Sequence, residues 1–122
     1  VFWDVYNTLV ELGKTSPSVR NDGISFLPTL LKQGTQKEHK YLYWEFHEDG
    51  GRQAVLADGW KLIKQKVNIP KDSYYELYHI DKDPYEKNNL ADSNPNKVKE
   101  LVKLIEEAHI ESDIYPLVNH VK

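Results

Sequence analysis

The spacing of apolar and polar positions changes period several times along the chain, and each change marks an element. Phe2, Val5, Leu9 and Leu12 recur at helical spacing, and Gly13 stands where such a helix should stop. Residues 14–24 are rich in turn formers and predict a loop. Ser25 is placed to cap a short helix ending near Leu31, with Pro28 in the first turn, where its missing N–H costs little. A polar connector fills 32–40.

Beyond it the period shortens to two. From Tyr41 to Glu48, Leu42, Trp44 and Phe46 share one face while Tyr43, Glu45 and His47 share the other. Asp49-Gly50-Gly51 predicts a turn, and Asp58-Gly59 is a strong two-residue hairpin signal inside the stretch from Arg52 to Val67. Such a loop sets Ala57 opposite Trp60 and Val55 opposite Leu62, gathering all four on one face. Pro70-Lys71-Asp72 breaks the chain, and Tyr74 to Ile80 predicts a fourth strand. After a loop from Asp81 to Asp92, a helix opens at Pro95 behind Ser93 or Asn94, with Val98, Leu101, Val102, Ile105 and Ala108 as its stripe. That stripe needs an apolar cover, for which the face bearing Leu42, Trp44, Phe46, Trp60 and Leu62 is expected. The fold class is therefore α+β: a four-stranded antiparallel sheet with a C-terminal helix packed on one face, preceded by short helices.

Composition narrows the function classes. A chain of 122 residues supports one modest core. The net charge is -3 and the 16 basic residues are scattered, so no nucleic-acid footprint is expected. No apolar run approaches the roughly 18 residues of a membrane span. Zero cysteines exclude disulfides and thiolate metal sites. The chain also has no methionine and starts Val1-Phe2-Trp3-Asp4 inside a patterned element, which points to a piece of a longer protein.

Motifs for chemistry are scarce. His39, His47, His79, His109 and His120 are too dispersed for zinc spacing. Asp81-Lys82-Asp83 opens like a calcium loop, but Glu86 occupies the position that needs Gly, and Asp92 the one that usually holds a bidentate Glu. No nucleophile elbow, phosphate loop or dinucleotide fingerprint is present. On its residues alone the chain is a helix-covered sheet with a polar face at Tyr43, Glu45 and His47, a face more often solvated than ligand-bearing.

Six segments in fixed order carry a resemblance. They are Asp22-Gly23-Ile24-Ser25-Phe26-Leu27-Pro28-Thr29-Leu30-Leu31, Tyr43-Trp44-Glu45-Phe46-His47-Glu48, and Gln53-Ala54-Val55. Asp58-Gly59-Trp60-Lys61-Leu62-Ile63, Glu76-Leu77-Tyr78 and Asp83-Pro84-Tyr85-Glu86-Lys87-Asn88-Asn89-Leu90-Ala91 follow. Together they resemble the C-terminal end of a formylglycine-dependent, arylsulfatase-like hydrolase of the alkaline-phosphatase-like superfamily. The opening Trp3-Asp4-Val5-Tyr6-Asn7-Thr8-Leu9 is similar to a family helix, with Asn7 where proline is usual.

The resemblance implies that residues 1–40 are the tail end of the catalytic domain, its short helices included, and that 41–122 are the C-terminal subdomain. It implies no catalytic residue and no metal ligand in this chain. Calcium and formylglycine belong to an N-terminal part, since the only Ser-x-x-x-Arg here, Ser16 to Arg20, has its proline misplaced for the C/S-x-P-x-R precursor motif. For the substrate rim it singles out His47, Glu45 and Arg52, because hydroxyl-rich and sulfated ligands are read by such donors and acceptors and Arg suits sulfate. The implied partners are the parent catalytic domain and a sulfated substrate, with no nucleic acid and no membrane. Self-association through the N-terminal helix is a further expectation, and the implied location is periplasmic or secreted. Two alternatives stand beside this reading: the same subdomain of a phosphodiesterase or phosphonate hydrolase, and a stand-alone binding module.

Overall fold

A computed structural model describes residues 1–117; among the histidines weighed above, His120 lies outside them. The chain divides into two compact units, Val1–Lys40 and Tyr41–Lys122.

The first unit holds α1 (Asp4–Leu12) and α2 (Leu27–Leu31). The helix at the start forms as its periodicity predicts, but its buried residues are polar: Asp4 and Thr8. The Asp4 carboxylate accepts the Ile24 amide at 2.8 Å and lies 2.9 Å from His39 Nε2. Thr8 Oγ1 donates to the Asp4 carbonyl at 2.8 Å and accepts the Phe26 amide at 3.0 Å. The apolar side faces out, with Phe2 89%, Leu9 60% and Leu12 58% exposed. Gly23 is needed where the loop crosses α1, because a Cβ there would lie 2.5 Å from the Trp3 carbonyl oxygen.

The second unit is a four-stranded antiparallel sheet in the order β1 (Leu42–Phe46), β2 (Arg52–Ala57), β3 (Trp60–Gln65), β4 (Tyr74–His79), followed by α3 (Pro95–Ala108). This is the expected α+β arrangement. The central hairpin has the expected register, Ala57 opposite Trp60 and Val55 opposite Leu62. Asp58 and Gly59 both take positive φ, 49° and 74°, the mirror-image turn that matches strand twist. Val55, Ala57, Leu62 and Leu77 on the sheet meet Leu101 and Ile105 of α3 in one core.

One expectation is corrected. Leu42, Trp44 and Phe46 do not share the face of Val55 and Leu62. The β1–β2 register sets Tyr43 opposite Val55 and Glu45 opposite Gln53, so the phenol and the carboxylate lie on the helix side. Leu42, Trp44 and Phe46 go instead with Leu56, Ala54 and Arg52. Both faces of β1 carry large apolar groups, so alternation cannot choose between them; pairing between strands does, since a slip of one residue exchanges the faces.

The outer edge of β4 is closed by the loop before α3. Asn89 accepts the Leu77 amide at 3.0 Å and donates to the Tyr75 carbonyl at 3.3 Å, and the Leu90 amide reaches the Leu77 carbonyl at 2.8 Å. A side-chain amide thus stands in for a further strand, which protects a sheet edge from foreign pairing. Asp83 turns the loop by accepting the Asn88 amide at 2.8 Å, and that bond above all holds its carboxyl below the ordinary range.

Candidate functional site

The polar groups of the second unit converge where β1, β2 and the end of α3 meet. Tyr43 donates its hydroxyl hydrogen to Glu45 and accepts from Gln53 Nε2 at 2.8 Å. His109, the residue closing α3, sets Nδ1 2.5 Å from Glu45 Oε1 and Nε2 3.0 Å from Glu111 Oε2. The other oxygen of Glu111 accepts the Leu117 amide at 3.2 Å, and Leu117 is 2% exposed. The Tyr115 ring lies 4.2 Å from that of His47, centroid to centroid. Residues 109–117 therefore fold back across the end of β1 as a strap, anchored by a charge cluster at one end and an apolar side chain at the other.

The strap explains the electrostatics. Its hydrogen bond to Glu45, with Glu111 adding to it, raises the His109 pKa against the opposing effect of burial. Burial, helped by Glu45, pushes the Tyr43 phenol up as well, so it remains a donor. A raised histidine pKa stabilises the folded state fully below the unfolded value of 6.5, and that contribution is lost as pH rises through the folded value. The strap is accordingly expected to be protected at pH 6 and to loosen as pH climbs above about 6.5. Amide exchange at Tyr115 and Leu117, followed against pH, measures this, and His109→Gln should flatten the profile. Identical profiles for the two proteins would show that no ionic clamp exists.

The three residues singled out from sequence do not form one cluster. Glu45 lies on the helix side, committed to Tyr43 and His109, while His47, just past the end of β1, has its ring tilted against that of Tyr115 and its Nε2 buried with no hydrogen-bond partner among the described residues. Arg52 lies on the opposite face, its guanidinium 5.3 Å from the Phe46 ring centroid and 3.2 Å from the Asp49 carboxylate. Sequence reasoning missed His109 as a partner of Glu45, Gln53 as a partner of Tyr43 and Glu111 as a partner of His109. His109 is 64 residues away from Glu45, and no spacing rule spans that distance. Among the described residues no three His, Asp or Glu side chains are arranged to hold a metal ion, and no helix is long and apolar enough to cross a membrane.

Comparison with known proteins supplies the context. The family described as N-sulphoglucosamine sulphohydrolase, C-terminal, matches residues 2–112. The chain belongs to this family. An N-acetylgalactosamine-6-O-sulfatase of Bacteroides thetaiotaomicron is 33% identical in an alignment of length 63 that covers 43% of this chain and 12% of that protein. A solved 2-O GAG sulfatase superposes with a TM-score of 0.72 at 26% identity, covering 85% of this chain and 23% of its own. The phosphonate monoester hydrolase of Agrobacterium radiobacter shares the fold, with a TM-score of 0.65 at 17% identity over 85% of this chain and 23% of its own. The chain thus spans about a quarter or less of the relatives it matches. As a member of this sulphohydrolase family, it has the α+β C-terminal subdomain expected from the ordered segments, and Asp58-Gly59 and Asn89 are seen to serve the hairpin and the sheet edge.

Proposed function

We propose that this chain is the C-terminal part of a sulfuric ester hydrolase acting on sulfated carbohydrate, with residues 1–40 as the last elements of the catalytic domain and 41–122 as its accessory subdomain. The family match over residues 2–112 carries this reading. The names of two relatives, an N-acetylgalactosamine-6-O-sulfatase and a 2-O GAG sulfatase, favour sulfated sugars over phosphonate esters. Formylglycine and calcium would be supplied by the preceding part of the protein. The exposed Phe2, Leu9 and Leu12 give α1 an apolar side suited to packing against that part, and to self-association when it is missing.

Within this reading Arg52 is the rim residue best suited to a sulfate. Its planar fork rests over Phe46 and, among the described residues, pairs with an exposed carboxylate, so a sulfate could displace Asp49 at little cost. Glu45 and His47 are held by the strap and shape the subdomain instead. The test begins with the coding sequence upstream of Val1, which should contain C/S-x-P-x-R. The read-through protein should release sulfate from a glycosaminoglycan oligosaccharide in a calcium-dependent way, and Arg52→Ala should raise its KM several-fold with little change in kcat. Absence of that motif, or hydrolysis of phosphonate esters in preference to sulfate esters, would replace this reading by the phosphonate hydrolase alternative.

A further inference from the structure

A cleft of about 250 Å³ opens on the helix side of the sheet, beside the strap and away from Arg52. Val67, Val102, Ile105 and Leu117 give it an apolar floor, while Gln53, Lys64, Tyr75, Glu106 and His109 supply polar groups. Lys64, Gln53 and Tyr75 reach it from adjacent strands, since Lys64 is opposite both Gln53 and Tyr75 in the sheet. Their convergence follows from register and is not an accident of mobile loops.

The state of each group is defined. Gln53 is 5% exposed and oriented by its bond to Tyr43. Lys64 lines the cleft and, among the described residues, forms no ion pair. Burial, with Glu106 adding to it, raises the Tyr75 pKa, which keeps the phenol a donor. Glu106 is exposed and acts as an acceptor. Donors and an acceptor ring an apolar floor, the arrangement that suits a molecule with hydroxyls at its edge and C–H groups on its face.

Charge and size narrow the ligand. The cations Lys64 and His109 are opposed by Glu106 and by the two carboxylates that already hold His109, Glu45 and Glu111. The balance is negative, which disfavours a sulfated or carboxylated ring. The volume is below the roughly 300 Å³ at which drug-sized pockets begin, so one ring is accommodated and not an extended chain. We infer that this cleft is a non-catalytic subsite for a single neutral pyranose ring, separate from the sulfate chemistry proposed above.

The test is a nitrogen-15 NMR titration of the chain with three neutral probes: methyl β-D-glucopyranoside, methyl β-D-galactopyranoside and N-acetylglucosamine. At least one should give saturable shifts at the Gln53 side-chain amide and at the Lys64, Tyr75 and Glu106 amides, with a Kd on the order of 1–10 mM. The 6-O-sulfate of the same sugar should bind more weakly. Glu106→Ala, at an exposed position, and Lys64→Met should each weaken binding by about fivefold or more, the loss of one hydrogen bond. The proposal is overturned by no saturable shift with any neutral probe, by shifts elsewhere, by tighter binding of the sulfated sugar, or by full affinity in Glu106→Ala. Because the readout is binding and not hydrolysis, its failure leaves the sulfatase reading standing.

Discussion

Leu62→Ala is expected to lower the stability of the sheet-and-helix unit by about 3–5 kcal/mol. Leu62 is 0% exposed, pairs with Val55 on one side and Leu77 on the other, and lies in one core with Leu101 and Ile105. Truncation loses both the transfer free energy of the side chain and the contacts around the cavity left behind, and rigid strands on both sides limit collapse into it. Domains of this size are stable by only about 5–15 kcal/mol, so the variant should melt far lower or fail to fold. Trp60→Ala should cost less. The hairpin puts Trp60 on the core face, yet it is only partly buried, its ring tilted against that of His79 with centroids 4.6 Å apart at the margin of the core. Urea denaturation of the two variants gives the order directly. A Leu62→Ala protein within 1 kcal/mol of the parent, a small cost by the usual scale for core Leu truncations, would show that the core is assigned to the wrong face.

The core and the candidate site differ in how far each could be read from sequence. Asp58-Gly59 was legible because a two-residue loop with both φ angles positive admits few residue pairs, and that loop alone sets the β2–β3 register. The α3 stripe was legible because Leu101 and Ile105 recur with helical period. Strand β1 was legible as a strand but not in its facing. Tyr43 and Trp44 are both large, and the choice depends on whether a buried phenol finds partners, which Glu45 and Gln53 provide. Glu45 was visible as a polar residue on a strand, but its engagement by His109 and the closing of the strap by Tyr115 depend on long-range packing. Local pattern reports period and turn chemistry; it does not report which distant side chain completes a hydrogen bond.

The second large effect is expected at Asp4. Helical period placed Asp4 beside an apolar stripe and drew attention to Phe2 and Leu9, yet in the first unit the carboxylate is the buried group, 7% exposed. Burial pushes its pKa up, but the Ile24 amide and the His39 ring together outweigh that and hold the carboxyl below its ordinary value. A depressed carboxylate pKa stabilises the folded state above the unfolded value of 3.8 and ceases to do so as pH falls through the folded one. Asp4→Ala removes the acceptor at every pH and strands the Ile24 amide, a loss of about 2–3 kcal/mol for a hydrogen bond to a charged group. Exchange of the Ile24 amide should then accelerate roughly 30- to 150-fold at neutral pH. Asp4→Asn keeps an oxygen for Ile24 but gives up the charge facing His39, so it should fall between Asp4→Ala and the parent. If Asp4→Asn and Asp4→Ala accelerate exchange equally, the charge and not the geometry holds the loop against α1. If neither changes it, the loop from Gly23 to Phe26 is held by something other than Asp4, and the Thr8 bond to the Phe26 amide becomes the first alternative to examine.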